Sequence, residues 1–444
     1  MTRTLVLVDG EHYPPTTRWA LDTARVEGYD VVACLFLGGT EKLDAGEVLD
    51  LGDVPVEVAG PDLAGSVREA IRRHTPAVVL DVSDEPVLGY RERALVAAAT
   101  LVEGVRYVGA DFALEPPIEG PSLGVPTLAV IGTGKRTGKT AVAGEAARGA
   151  ALAGLSPVVV AMGRGGPPEP QLAEAGSIDL DRLLGLIEQG HHAASDYLED
   201  AVTTGVPTVG ARRAGGGVAG RPYASNVREA ARRAEALSPG LVILEGSGAA
   251  VPPVPWDAGV LVAPADLPEE FLRGYLGPFR VLLSDLVVFT MGGGPDVGPQ
   301  LSVLISHVRG LRPDARTIVV DLFPVPLEEV GGKKVLFATT APEAAGPRLV
   351  ASLEETYGAS VVGTTHRLGD RSGLAEDLEA APPYDVLLTE LKAAAVDVAA
   401  RSALERGAEV VFVDNRAETV EGDGELPDLL LETARLAVER AKER

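Results

Sequence analysis

A single cysteine, Cys34, stands among the 444 residues. It excludes any intramolecular disulfide and points to a reducing compartment, so the chain is expected in the cytoplasm. Lying inside the apolar run VVACLFL, Cys34 reads as a buried strand residue rather than a nucleophile. No apolar stretch reaches the ~20 residues that a membrane helix needs. The opening MTRTLVLVDGEHY has an apolar run too short for a signal peptide, and acid follows it. No internal period of solenoid type is present. Positive charge is scarce: 40 Lys and Arg face 64 Asp and Glu, a formal net charge of -24. Such a surface repels nucleic acid and anionic lipid, which argues against both as partners. The turn after the first apolar run, DGEHYPP, lacks G-x-G-x-x-G, and its acid and prolines are unsuited to a pyrophosphate. A dinucleotide oxidoreductase is thereby set aside.

What is present is an ordinary globular balance, 46% hydrophobic and 23% charged, in a chain long enough for two or three domains. Short apolar runs (TLVLVDG, DVVACLFLGG, VPVEVAG, AVVLDVSD, VRYVGAD) alternate with helical stretches, the first over about 16–27. That rhythm predicts βαβ units and a parallel sheet. ALEPPIEGPSLGVP, with four prolines, reads as a linker. The expected organisation is a Rossmann-like α/β domain over 1–124, a central P-loop domain over 125–300, and a C-terminal α/β region over 301–444, either separate from or continuous with the central sheet. The strands TIVVDLF, KVLFATT, SVVGTTHRL, DVLLTEL and EVVFVDN belong to that last region. It ends in an amphipathic helix over 426–442 whose charges read as a solvated face.

TLAVIGTGKRTGKTAVAGEAARGAA carries the chemistry. An apolar strand, a Gly- and Lys-rich turn and a small-residue helix form the context of a P-loop. Backbone N–H groups of Gly132, Thr133, Gly134, Lys135, Thr137, Gly138, Lys139, Thr140 and Ala141 would cradle ATP phosphates. Lys139 would reach the β- and γ-phosphates, and Thr140 would hold Mg2+. Thr133 stands where the standard pattern has Gly, and Gly132 comes one position earlier. That spacing resembles GTDTxxGKT of dethiobiotin synthetase, with Lys135 and Arg136 as two added cations. LVILEGSGAA resembles the VEGAGG segment of the same enzyme, which implies that Glu245 is a Mg2+ ligand. Mg2+ takes one or two carboxylates and keeps waters and phosphates for the rest.

Further cations follow other strands. Arg164 lies between glycines in VVVAMGRGGPPEPQ, where the backbone can approach a phosphate. GARRAGGGVAGRPYASN reads as a glycine-rich loop bearing Arg212, Arg213 and Arg221 as anion clamps. Ligands of open parallel sheets sit beyond the carboxyl ends of the strands. This places Asp9, Glu11, His12, Thr40, Glu41, Lys42, Asp81 and Asp84 around one crevice, some of them simply capping helices. His12 and Lys42 are expected on the substrate side. His366, Arg367, Arg371, Lys392 and Arg416 follow C-terminal strands and read as site-closing cations or as surface ion pairs.

Taken together, LVDGEHYP, FLGGTEKL, GTGKRTGKTAVAGEAAR, AMGRGGPPEP, TELKAAAVDVAAR and VFVDNR resemble segments of the cyclic 2,3-diphosphoglycerate synthetase family, from the first strand nearly to the C-terminus. The resemblance implies that ATP and 2,3-diphosphoglycerate give ADP, phosphate and a cyclic product with an intramolecular phosphoanhydride. It implies Mg2+ and a small polyanionic substrate, and a homodimer is expected. Lys135, Arg136, Lys139 and Arg164 are the candidate catalytic cations. His12, Lys42, Arg164 and Arg221 are the candidate substrate contacts, and Thr140 and Glu245 the metal ligands. Two readings compete: a carboxylate-activating ligase of dethiobiotin-synthetase type and a regulatory P-loop switch. A polyanionic substrate would also need local cations inside a repelling field.

Overall fold

The computed structural model describes residues 1–39, 41–42, 49–274, 276–293 and 297–444. Two sheets organise them. The first runs Val56–Val58, Tyr29–Phe36, Thr2–Val8, Val78–Asp81, Arg106–Val108, Ala113–Leu114 in spatial order. Its neighbours are parallel except the last pair. Chain order therefore reverses between Thr2–Val8 and Val78–Asp81, the place where such sheets open a crevice. Ala113–Leu114 adds an edge strand to what the prolines marked as linker. Cys34 is fully buried, and burial pushes its thiol up to about 12. The first helix, Pro14–Val26, has Pro at its start, where a missing N–H costs nothing.

The second sheet has 13 strands. Its centre places Pro157–Gly163, Leu241–Glu245, Thr127–Gly132, Ala258–Pro264 and Leu286–Thr290 side by side, all parallel. These strands are almost wholly buried, as their continuous Val, Leu and Ile runs require when helices cover both faces. The C-terminal strands join the same sheet. Arg316–Pro326 pairs parallel with Leu286–Thr290 and antiparallel with Glu409–Gly422. Glu409–Gly422 uses its first residues to pair parallel with Val386–Glu390. One long strand thus couples the P-loop sheet to the C-terminal strands.

The last helix, Leu426–Lys442, buries Leu426, Leu429, Leu430, Ala434 and Ala437 against the helix that follows the P-loop. Its charged face is not merely solvated. Arg440 forks onto Asp285 with both terminal nitrogens at 2.9 Å, because the bidentate geometry fits a carboxylate at that distance. The first sheet docks through an apolar interface in which Leu276, Phe279, Leu282, Val251 and Ala219 pack with its helices. Each large side chain there contributes roughly 1.5–3 kcal/mol by leaving water. Among the described residues no helix is long and apolar enough to cross a membrane.

Candidate active site

The strand Thr127–Gly132 delivers the turn, and the helix Lys139–Leu152 leaves it. Gly138 caps that helix with φ +82°, and a Cβ there would lie 3.0 Å from Leu322 and 3.1 Å from Thr290. Only glycine satisfies both the left-handed backbone and the close neighbours. Thr290 also donates through Oγ1 to the Thr137 carbonyl at 2.9 Å, and Thr133 N–H donates to the Val262 carbonyl at 3.2 Å. Neighbouring strands therefore brace the loop from below. Lys139 is 7% exposed. Its Nζ donates to the Gly134 carbonyl at 2.7 Å and to Thr137 Oγ1 at 3.2 Å. Burial pushes its pKa down to about 8, while the charges of Glu245 and Asp196 hold it up.

Thr140 Oγ1 donates to Glu245 Oε1 at 2.8 Å. Glu245 Oε2 and both oxygens of Asp200 are buried with no N–H or O–H donor among the described residues, and the two carboxyl groups lie close enough to act on one another, which raises Asp200 further. Buried carboxylate oxygens left open in this way suit a cation. No group of three or more His, Cys, Asp and Glu forms a metal cage among the described residues. The donor set matches a hard ion that completes its shell with water and phosphate, as Mg2+ does.

Sequence reasoning missed the helix Asp196–Thr204, which brings Asp196, Glu199 and Asp200 to this place. Acids at i, i+3 and i+4 share one face, and such a face usually meets water. Here it packs toward the P-loop. Burial raises the pKa of Glu245, Asp196, Asp200 and Glu199, the last to about 8 against the pull of Lys392. The spacing D-x-x-E-D was the available signal, but nothing local distinguishes a buried acidic face from a solvated one.

These shifts have a consequence for stability. Between the ordinary Glu value of 4.5 and about 8, the folded protein holds a proton on Glu199 that the unfolded chain has released. That contribution is complete below 4.5 and is lost as pH rises toward 8. Acids held low by partners, such as Glu390 and Glu103, act below this window. The Lys139 shift acts above it, and His307, pushed down by burial, works weakly the other way below 6.5. Metal-free protein should therefore lose thermal stability from pH 5 to 8, and Glu199→Gln should flatten that slope. Parallel melting curves for the two proteins would refute the assignment.

Beyond Arg164 opens a cavity of about 1050 Å³. Arg164, Arg182, Arg212, Arg213, Arg233, His191 and His192 line it, and no carboxylate does. Among the described residues none of these five arginines makes an ion pair, whereas Arg18, Arg72, Arg91, Arg309 and Arg371 elsewhere on the surface do. A Cβ on Gly248 would meet Arg164 Nη2 at 2.8 Å and Arg213 Nη2 at 3.3 Å, so two guanidiniums converge over the turn after Glu245. Burial and the charge of Arg164 hold Arg213 below its usual pKa, the mark of a cation lacking a counter-ion. Arg212 and Arg213 do not ride on a loop as the glycines suggested. They end the strand Thr208–Ala214, whose register sets Arg212 beside Gly163. Ladder pairing with Pro157–Gly163 outweighs the glycine signal. Arg182 and Arg233, on helices, gave no signal of their own.

Other expected residues lie apart. Lys135 and Arg136 are exposed on the loop, with Arg136 Nη2 3.2 Å from where a Cβ on Gly369 would stand. Arg221 pairs with Glu119 at 3.4 Å, outside the cavity. His12 sits at the crest of the first sheet, with Nδ1 2.8 Å from Asp9 and Nε2 3.8 Å from Asp84. Lys42 pairs with Glu41 and lies over the Tyr13 ring. Asp81 is held by Tyr107 and Arg93. Glu11 is raised by its bond to Glu41. Thr40 lies outside the described residues. His366 donates through Nδ1 to the Ala341 carbonyl of its own region, Arg367 and Arg371 pair with Asp377 and Asp397, and Arg416 with Asp414. Among the described residues Lys392 alone of these C-terminal cations pairs with the acidic helix, 3.0 Å from Glu199.

Family models bear on all of this. The N-terminal, P-loop and C-terminal domain models of cyclic 2,3-diphosphoglycerate synthetase match residues 3–115, 127–320 and 326–416. Cyclic 2,3-diphosphoglycerate synthetase of Rubrobacter xylanophilus is 50% identical over 93% of both chains. That of Methanothermobacter thermautotrophicus is 42% identical over 98% of this chain and 97% of its own. Among solved structures, LpxK from Aquifex aeolicus in complex with ATP is similar at TM-score 0.39 and 14% identity, over 72% of this chain and 90% of that one, too loosely to carry weight. With a braced P-loop, parallel sheets and three matching domain models in the family's order, the chain belongs to the cyclic 2,3-diphosphoglycerate synthetase family.

Proposed function

We infer that this chain uses ATP to close 2,3-diphosphoglycerate into its cyclic phosphoanhydride, releasing ADP and phosphate. Family membership supports the reaction, and one observation carries it physically: a large cavity lined by five arginines free of carboxylate partners among the described residues, one of which, Arg164, is near enough for its charge to act on Lys139 of the P-loop. In a chain of net charge -24, that is where a polyanion gains most.

The loop from Gly132 to Ala141 binds the nucleotide, with Lys139 on the β- and γ-phosphates. Thr140 and Glu245 would hold Mg2+, with Asp196 beside them. Bound there, Mg2+ would neutralise negative charge on the phosphates. Arg164 and Arg213 orient the bisphosphate so that one phosphate oxygen faces the γ-phosphorus. That oxygen attacks, the bond from the γ-phosphorus to ADP breaks, and ADP leaves. The second substrate phosphate then attacks the phosphorus of the first, closing the ring and expelling the transferred group as inorganic phosphate. Both steps bring anions together, so positioning and charge neutralisation account for the catalysis. Lys135 and Arg136 flank the loop mouth as further cations. His12, Lys42 and Arg221 are assigned no direct contact in this scheme, since each is held in a local pair outside the cavity.

The competing ligase and switch readings are not favoured, because neither needs a carboxylate-free arginine cavity. A homodimer is part of the proposal, supported by Tyr13, Trp19 and Val26 exposed on and beside one helix. So is a cytoplasmic location, supported by a single buried cysteine. The test is ADP release across phosphorylated three-carbon acids, with phosphorus NMR of the product. An anhydride resonance only with 2,3-diphosphoglycerate is expected, and turnover of a carboxylate or amine acceptor instead would replace the reading.

A further inference from the structure

Lys392 is anchored with unusual care for a residue that the sequence leaves among ordinary surface cations. It follows Val386–Glu390 by two positions. Glu390 is 3% exposed and accepts from Thr339 Oγ1 at 2.9 Å, from Thr340 N at 3.0 Å and Oγ1 at 2.6 Å, and from Asn415 Nδ2 at 3.0 Å. With its oxygens so saturated, Glu390 serves as a rigid post rather than as a mobile partner. Immediately after Lys392, Ala393 adopts φ +50°, a conformation that alanine rarely takes, and a π-helix follows over Ala395–Ala400. Backbone of this kind persists where the surroundings enforce it, and π-turns gather at functional sites.

The result is a lysine carried by the C-terminal strands across the cleft to the helix beside the P-loop. Its Nζ lies 3.0 Å from Glu199 Oε1, and 32% of its side chain remains open. Its charge acts on Lys139, Asp196 and Glu199, and Glu245 acts on it in turn. The reaction inferred above gathers a triphosphate and a bisphosphate, and the P-loop and the cavity neutralise them from two sides only. The ammonium touches only Glu199 directly while Glu390 and Glu245 act on it through space, so a phosphate oxygen entering beside it can replace the Glu199 contact without leaving the charge unpaired.

We propose that Lys392 is a catalytic residue, a lysine delivered by the C-terminal region that contacts the transferring phosphoryl group. This rests on the cyclisation reading. When substrates bind, the ammonium leaves Glu199 and stabilises charge on the equatorial oxygens as the bond to ADP breaks; the lysine itself gains and loses no proton. The experiment measures ADP release and anhydride formation with Mg-ATP and 2,3-diphosphoglycerate for wild type, Lys392→Met, Lys392→Arg and Glu199→Gln. Binding of Mg-ATP is followed by calorimetry and folding by thermal melting. Lys392→Met should lose about 100-fold in kcat, the scale of one transition-state donor, with the Kd of Mg-ATP within about threefold. Lys392→Arg should recover part of that loss. Glu199→Gln, which breaks the same pair, should keep at least tenfold more kcat than Lys392→Met. Equal losses in Lys392→Met and Glu199→Gln, or a Lys392→Met kcat within threefold of wild type, would overturn the assignment in favour of a structural pair. Wild-type enzyme that releases no ADP with this substrate would instead overturn the reaction itself.

Discussion

Lys139→Ala is expected to lower kcat/KM for ADP release by at least about 10³-fold, with the fold intact. The magnitude is that of removing a principal charge from a phosphoryl-transfer site. The structure says why so little else could replace it. Lys139 is 7% exposed, its stem packs so that a Cβ on Gly132 would meet Cδ at 2.7 Å, and its ammonium is presented inside the loop by the Gly134 carbonyl. Burial holds its pKa near 8, so it carries charge at neutral pH but has little solvent to stabilise it. A phosphate oxygen is a far better partner than a backbone carbonyl, and that difference is the binding energy the loop stores. Alanine also leaves a gap where three methylenes and the ammonium lay, which Lys139→Met largely avoids. Both variants should melt close to wild type and both should be inactive, by an ADP-release assay at saturating 2,3-diphosphoglycerate. If Lys139→Met turned over within tenfold of wild type, the loop would have no part in the chemistry.

How much of this site stood in the sequence follows from how local each part is. The P-loop is contiguous, so its order of strand, turn and helix was readable from Thr127 to Leu152. Glu245 was readable because it closes an apolar strand before two glycines. Arg164 was readable because glycines flank it. The other walls are assembled by packing. Arg182 and Arg233 sit on amphipathic helices, where a basic residue ordinarily means solvent, and only the fold turns them toward Arg164. Glu199 and Asp200 are buried, and Asp196 half-buried, because their helix is covered by the P-loop helix and by Lys392 from a segment nearly 200 positions away, which no window of sequence contains. The same limit explains His12 and Lys42. Strand-end logic puts them at the crest of the first sheet, where they are, but it does not say which crest faces the nucleotide. It also explains Glu409–Gly422, expected to end near Asn415. Its second half, alternating and half exposed, is a strand only because Arg316–Pro326 lies antiparallel to it.

The cavity makes the second large claim. Arg164→Ala should lower kcat/KM for 2,3-diphosphoglycerate by about 10³-fold, while Mg-ATP binds nearly as well as to wild type. Arg164 stands where the cavity meets the turn after Glu245, converging with Arg213 on Gly248. Of the two, Arg213 is tied down: it donates to the Ser247 carbonyl at 2.8 Å and to the Gly215 carbonyl at 2.7 Å. Arg164 has no such anchor among the described residues, so its fork is free to take a phosphate in bidentate fashion. Neutralising it also leaves two substrate phosphates facing one another with one fewer cation, which raises the cost of the attack itself as well as of binding. Losses should therefore appear in kcat and KM together. Arg164→Lys should restore charge but not the fork, and so recover binding more than rate. Initial rates over a substrate series, beside calorimetry with Mg-ATP, separate the two terms. A loss confined to nucleotide affinity would move Arg164 to the nucleotide side of the cleft and leave the cavity without its assigned guest.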